Sequence, residues 1–332
     1  MAINSMAEID WRAPTRGGIG QTYGYSKAST ALSLALEDAG CVISEAAPVA
    51  CQFTPGHLFD PVEGKINLLW TMYEADKLPG AFLDGIMAAD GIIVPSKYNR
   101  DIFRAHGVVA PMAVCHLGIE SRDFPYADRS RQPGERFRFL WLGAADIRKG
   151  WDLAVKAFQD EFKPYEPVEL YVKTTATQQR QHFAMYNSKV HFDGRNLDEE
   201  SIRKLYESAH AFVFPSRGEG FGLPPLEAMA SGCLVIAPCH TGLAEFISTS
   251  TALVCETKKR GGFYGVNITV LEPKIDHLRR LMRRTYEHYD DTLPLRESGS
   301  RMAHGHFTWA HAASSLCEIV PQLIEELQPC AS

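Results

Sequence analysis

The segment of residues 211–227, AFVFPSRGEGFGLPPLE, restricts what this 332-residue chain can fold into more than any other stretch. Residues 211–214 form a short apolar run of the kind that becomes a buried strand. A glycine-rich turn follows, Gly218-Glu219-Gly220-Phe221-Gly222, and then Pro224-Pro225, a pair suited to the first turn of a helix. Residues 226–230, LEAMA, are good helix formers. A strand, a tight turn and a helix in this order belong to a parallel α/β sheet, whose ligands bind at the carboxyl ends of the strands. The turn and the helix carry two carboxylates, Glu219 and Glu227, separated by seven residues. Each carboxylate offers two acceptor oxygens, which suits sugar hydroxyls and diols. The plainer reading is one solvated turn glutamate and one ordinary helix glutamate. The surrounding glycines, prolines and apolar run weigh against it.

The rest of the chain repeats the alternation of strand and helix. Strands are expected at residues 8–14, 66–73, 91–94 and 108–115, with helices at 26–39 and 97–106, the second capped by Ser96. Residues 121–136, rich in Arg, Asp, Pro and Ser, read as a linker. Beyond it, strands are expected at 137–142, 168–172, 189–192, 211–214, 233–237 and 252–255, and helices at 151–158, 198–208 and after Thr241. From residue 273 onward the pattern is helical, at 275–289, 295–305 and 309–327. The length accommodates two cores, and 45% hydrophobic with 22% charged residues is ordinary for a globular protein.

At residues 211–230 the chain resembles the retaining glycosyltransferases of family 4, which carry a Glu-x7-Glu motif. The resemblance continues through Gly242-Leu243-Ala244-Glu245, the run VPSKYNRDIFRAHGV with HLGIESRDF, and Phe307-Thr308-Trp309. It implies the GT-B fold: two doubly wound Rossmann-like α/β domains facing a cleft. Residues 1–120 would be the acceptor-side domain and 137–306 the nucleotide-sugar domain, with Gly118 near the crossing between them. A terminal helix at 307–332 would pack back on the first domain.

The resemblance also assigns roles. Glu219 would meet the donor sugar and Glu227 the ribose, while the backbone of Gly220, Phe221, Gly222 and Leu223 faces sugar and diphosphate. Arg148 and Lys149 would neutralise the leaving diphosphate. The family commonly carries an arginine just after the glycine matching Gly143, where this chain has Ala144, so more rests on that pair. Gly17 and Gly18 match a glycine loop facing the diphosphate and the acceptor. Lys173, at a strand end, reads equally as a site residue or a surface lysine, and Arg195 lies where the nucleotide base would rest. Glu74, at the carboxyl end of a first-domain strand, is the candidate to meet acceptor or donor hydroxyls. Tyr23 and Tyr25 could stack on a ligand or pack the first helix.

The implied reaction moves a sugar with retention from a nucleotide-diphospho-sugar, read as a UDP-sugar such as UDP-glucose with a GDP-sugar as the alternative, to a small hydroxyl acceptor. No cofactor is expected. A metal is not expected either, since the chain lacks an Asp-x-Asp. Rivals are a sugar-nucleotide epimerase or hydrolase on the same fold, a non-catalytic binder, and a phage-type transferase acting on a modified DNA base. A dinucleotide oxidoreductase is more remote, because Gly18-x-Gly20-x-x-x-Gly24 misses the fingerprint by one residue. Residues 1–125 hold nine Lys and Arg against fourteen Asp and Glu, an acidic balance that disfavours nucleic acid and anionic lipid as partners. Eight cysteines without a CxxC pair read as reduced core thiols, and no apolar run is long enough to span a bilayer. A cytoplasmic location is the expectation.

Overall fold

The computed structural model describes residues 8–12, 23–132, 134–174, 189–263 and 267–327. The chain forms two compact units, Met1–Glu120 with Phe307–Ser332, and Ser121–His306.

In the first unit six parallel strands are ordered β2-β1-β3-β4-β5-β6. They are β1 (Glu8–Arg12), β2 (Val42–Ile43), β3 (Val49–Phe53), β4 (Ile66–Trp70), β5 (Gly91–Val94) and β6 (Met112–Val114). Every residue of β3 and β5 is buried, the mark of strands covered on both faces. The helices are α1 (Tyr23–Asp38), α2 (Gly80–Met87) and α3 (Lys97–Ala105). Ser96 caps α3, its Oγ accepting from the Asn99 amide at 3.3 Å. Trp11, Phe53 and Trp70 pack ring against ring in the core.

The strand expected at 66–73 stops at Trp70: the Thr71 amide still bonds the Ile93 carbonyl, but the two amides after it turn to side chains. The Met72 amide donates to the Tyr25 hydroxyl at 3.1 Å, and the Tyr73 amide to Asn99 Oδ1 at 2.5 Å. The strand expected at 108–115 shortens to β6, since Pro111 has no N–H and Val109 is exposed. Three elements were not expected, β2, β3 and α2. The last helix of the chain packs against α1, β5 and β6. Its entry is fixed by a bridge between Ile119 and Thr308, with Gly118 against the Thr308–Trp309 backbone.

In the second unit the order is β12-β11-β10-β7-β8-β9, again all parallel. The strands are β7 (Phe137–Leu142), β8 (Val168–Lys173), β9 (Val190–Asp193), β10 (Ala211–Val213), β11 (Leu234–Ala237) and β12 (Leu253–Val254). The helices are α4 (Trp151–Glu161), α5 (Glu199–Ser208), α6 (Leu223–Ala230), α7 (Ile275–Glu287) and α8 (Leu293–His306); the terminal helix of the first unit is α9 (Trp309–Leu327). An unexpected antiparallel hairpin joins β13 (Thr257–Arg260) to β14 (Val270–Pro273). Residues 121–136 are not a free connector. Arg129 donates to the carbonyls of Glu207 (2.9 Å) and Ser231 (2.6 Å), at the ends of α5 and α6, and Arg131 donates to the Tyr286 carbonyl. Such contacts compensate the negative end of a helix dipole.

The strand order carries a functional consequence. The chain steps from β7 outward to β8 and β9, then returns to β10 on the other side of β7. Loops after β7 and β10 therefore part from each other at the carboxyl edge, leaving the crevice where doubly wound sheets bind ligands. The register Leu142↔Lys173↔Asp193 aligns the strand ends along that edge. The described cysteines are free thiols, and Cys41, Cys51, Cys115, Cys233 and Cys255 are buried, as expected of core thiols. Among the described residues no helix is long and apolar enough to cross a membrane.

Candidate active site

The two loops at the switch point are joined backbone to backbone. After β7 the chain makes a 3-10 turn, Ile147–Lys149, in which Asp146 Oδ1 accepts from the Arg148 amide at 2.8 Å. After β10 it runs through Ser216 to Gly222. The Arg148 carbonyl accepts from the Arg217 amide at 2.7 Å, and Trp141 Nε1 donates to the Lys149 carbonyl at 3.2 Å. Gly150 closes the turn at φ 76°, and a Cβ there would lie 2.0 Å from the Pro215 carbonyl oxygen. Only glycine allows both that conformation and that approach.

This seam brings Arg148, Lys149 and Glu219 together. Lys149 Nζ lies 2.6 Å from Glu219 Oε2, Arg148 Nη1 lies 3.3 Å from Oε1, and the Ser216 hydroxyl donates to Oε1 at 2.8 Å. Arg148 Nη1 also donates to the Gly218 carbonyl. Burial pushes the Glu219 carboxyl up, but Lys149, Arg148 and the Ser216 hydroxyl outweigh it and hold the pKa below the ordinary value. The glutamate side chain is 4% exposed, whereas Arg148 and Lys149 keep 15% and 17%, so the cations lie at the solvent side of the cluster. Basic residues ahead of a helix oppose its dipole. Here Glu219 supplies the counter-charge.

Sequence reasoning overlooked three residues that hold this arrangement. Arg217, 1% exposed on its side chain, donates to both carboxylate oxygens of Asp152 (2.8 and 2.7 Å), to Glu272 (3.0 Å) and to the Ile147 carbonyl. It ties α4, β14 and the 3-10 turn to the loop that carries Glu219. Thr241, in the loop after β11, accepts from the Glu219 amide at 3.1 Å. The expected helix after Thr241 is a 3-10 turn, Thr241–Glu245, because Thr241 starts it in the left-handed region at φ 51°. Beside it His240 is buried. Burial drives its pKa down to about 4 against the opposing pull of Glu219.

Glu227 is on α6, which Pro224 and Pro225 start as expected. Its Oε2 accepts from the Tyr206 hydroxyl at 2.8 Å, and both side chains are buried. Tyr206, on α5, is the third overlooked residue, and nothing in its local sequence points at a carboxylate 21 residues away. The Phe221 side chain packs on Phe246, and the whole residue is buried.

Lys173 is 3% exposed, which removes the surface reading. Its ammonium donates to the carbonyls of Thr174 (2.9 Å) and Arg195 (2.7 Å), and burial lowers its pKa. Arg195 is held by Asp193 through bonds of 2.9 and 2.7 Å while its side chain stays 70% exposed. Both stand at the carboxyl ends of β8 and β9, on the edge that carries Glu219. Glu74 belongs to the first unit, four residues past β4. Close to it Tyr25 packs on Phe53 with ring centroids 5.0 Å apart and bonds the Met72 backbone, so Tyr25 packs the helix. Gly17 and Gly18 lie outside the described residues, as does the side chain of Tyr23.

Residues 136–267 match the family model described as Glycosyl transferases group 1. Mannosylfructose-phosphate synthase of Agrobacterium fabrum is 30% identical over 221 residues, covering 60% of this chain and 45% of that protein. Glycogen synthase of Mycobacterium tuberculosis is 28% identical over 205 residues, covering 59% and 49%. The chain thus spans about half the length of the curated relatives it matches. Among solved structures, sucrose-phosphate synthase from Thermosynechococcus elongatus superposes with a TM-score of 0.68 at 19% identity, over 95% of this chain and 82% of that one. Anabaena Alr3699/HepE, solved with UDP and glucose, gives 0.66 at 13% identity, over 91% and 83%. At those identities the likeness is one of fold. That fold is GT-B, with two doubly wound Rossmann-like units.

Proposed function

We propose that this chain is a retaining glycosyltransferase of family 4 that takes a sugar from a nucleotide-diphospho-sugar and passes it to a hydroxyl on a small acceptor. The observation that carries the proposal is the pairing of buried Glu219 with Lys149 and Arg148 at the sheet's switch point. Breaking a sugar–phosphate bond builds negative charge on the leaving diphosphate. Cations already fixed beside that bond stabilise the charge without reorganising. The geometry of Glu219 lets it serve twice, as the anchor of both cations and as an acceptor for sugar hydroxyls. Glu227, held by Tyr206, takes the ribose.

The donor is a UDP-sugar in this reading, with a GDP-sugar as the alternative, and the chemistry runs without a metal. The acceptor is a saccharide or glycoside. A phosphate-rich acceptor would meet a first domain with acidic balance. Glu74 is the first-unit residue proposed to meet acceptor or donor hydroxyls.

The test is a thermal-shift screen with UDP-, GDP-, ADP- and dTDP-sugars, followed by nucleotide release in the presence of EDTA and proton NMR of the product. Stabilisation by one donor and a product that keeps the donor's anomeric configuration are expected. An inverted product, or no stabilisation by any of the four, overturns the reading.

A further inference from the structure

We propose that Thr241 is a positioning residue that clamps Glu219, and that the chain keeps a strained backbone at Thr241 for the sake of its hydroxyl. The role assigned to Glu219 rests on the reading above. Thr241 is the one non-glycine residue with positive φ among the described residues. A β-branched residue is a poor occupant of the left-handed region, and such strain persists only where the surroundings over-determine it. A glycine would take the same conformation without steric strain. What a glycine would lack is the hydroxyl.

That hydroxyl is used on both sides. It accepts from the Glu219 amide at 3.1 Å and donates to the His240 carbonyl at 2.7 Å. The next residue completes the grip, because the Gly242 amide donates to the Glu219 carbonyl at 2.9 Å. The approach is so close that a Cβ on Gly242 would stand 2.2 Å from the Gly220 carbonyl oxygen. Both backbone polar groups of Glu219 are therefore held by the Thr241–Gly242 turn, while its carboxylate is held from elsewhere by Ser216, Lys149 and Arg148. One consequence concerns the ligand. The Glu219 amide is engaged by Thr241 and does not serve as an anion donor, so diphosphate recognition falls to Lys149, Arg148 and other amides of the turn.

Three variants separate this role from a plain structural one: Thr241→Ser keeps the hydroxyl, while Thr241→Ala and Thr241→Gly lose it, and glycine also removes the strain. Amide hydrogen exchange resolved at Glu219 is the first readout, and turnover of UDP-glucose the second. Exchange at Glu219 should accelerate about tenfold or more in the alanine and glycine variants and stay protected in the serine variant. The melting temperature of Thr241→Gly should exceed that of Thr241→Ala, which loses the same hydroxyl but keeps the strain, while kcat falls about tenfold with KM within about threefold. Thr241→Ser should stay within about threefold on both. Unchanged exchange at Glu219 in Thr241→Gly, or lost exchange protection with unchanged kcat, overturns the proposal. Lost protection in the alanine and glycine variants, together with a parent protein that turns over no nucleotide-sugar, supports the clamp and overturns the sugar role of Glu219.

Discussion

Lys149 Nζ and Glu219 Oε2 lie 2.6 Å apart although 70 residues separate them in the chain. The pair exists because two loops on either side of the switch point share a backbone seam, so anything that loosens the seam separates the charges. The lysine faces a carboxylate, and in the proposed reaction it also faces a diphosphate whose charge grows toward the transition state. Lys149→Ala should therefore lower kcat about 100-fold and leave KM within about threefold. Steady-state kinetics with the donor found by the thermal-shift screen checks it. A raised KM with normal kcat contradicts the role.

Tyr206→Phe removes one hydrogen bond and nothing else from the α5–α6 contact. An ionised acceptor that loses a buried donor costs about 1 to 3 kcal/mol. The carboxylate of Glu227 would also turn more freely, so donor affinity should fall about threefold to tenfold. Calorimetric titration with UDP measures it, and an unchanged Kd disconnects Tyr206 from the ribose role proposed for Glu227.

Arg217 has a different signature, because it is buried while the two carboxylates it pairs with are partly exposed. Removing one partner of a buried charge pair typically costs about 3 kcal/mol or more. Arg217→Met should lose that amount in denaturant unfolding. It should also lower kcat, since the Ile147 carbonyl that Arg217 holds opens the turn carrying Lys149. A variant of normal stability would show that the network is not worth its charges.

The sequence exposed the sheet wherever a strand was a continuous apolar run. FRFLWL and GIIV became β7 and β5 with the expected ends, and α9 spans the expected residues. The misses share a cause, which is that local pattern and tertiary burial disagree. VACQF carries Cys and Gln yet is wholly buried as β3, with Gln52 bonded to the Asp60 backbone. The helix α2 opens with Pro79 and Gly80, residues that argue for a turn. TKKR in β13 is charged and mostly exposed, so nothing marked it as a strand before Glu272 of its partner strand met Arg260 and Arg217.

The candidate site divides in the same way. Glu219 and Glu227 stood out by their spacing, and Arg148 and Lys149 by the resemblance; the structure brings Arg148, Lys149 and Glu219 together. Arg217, Tyr206 and Thr241 did not stand out, because their contacts come from residues 65, 21 and 22 positions away. Lys173 could be read either way from sequence, and only its burial against two carbonyls separated the alternatives.

His240 makes the last prediction, about pH. It is buried with Nδ1 3.3 Å from Thr241 Oγ1, and burial lowers its pKa from 6.5 to about 4 while Glu219 pulls the other way. The carbonyls of Leu271 and Ser216 also face the ring and favour its protonation. A folded pKa below the unfolded one means that the unfolded chain binds the proton first. The full stability is therefore present above pH 6.5 and is lost as pH falls toward the folded value. At pH 5 the loss should reach about 2 kcal/mol, before most carboxylates protonate, and below the folded pKa it levels off at about 3 kcal/mol. Glu219, whose folded pKa is also depressed, adds a loss of the same sign, but only at lower pH. His240→Asn cannot titrate, so its unfolding free energy should decline less steeply than the parent's between pH 7 and pH 5; the decline that remains belongs to groups such as His210, whose pKa burial also lowers. Equal slopes for the two proteins across that interval would show that His240 is not the group that couples this loop to pH.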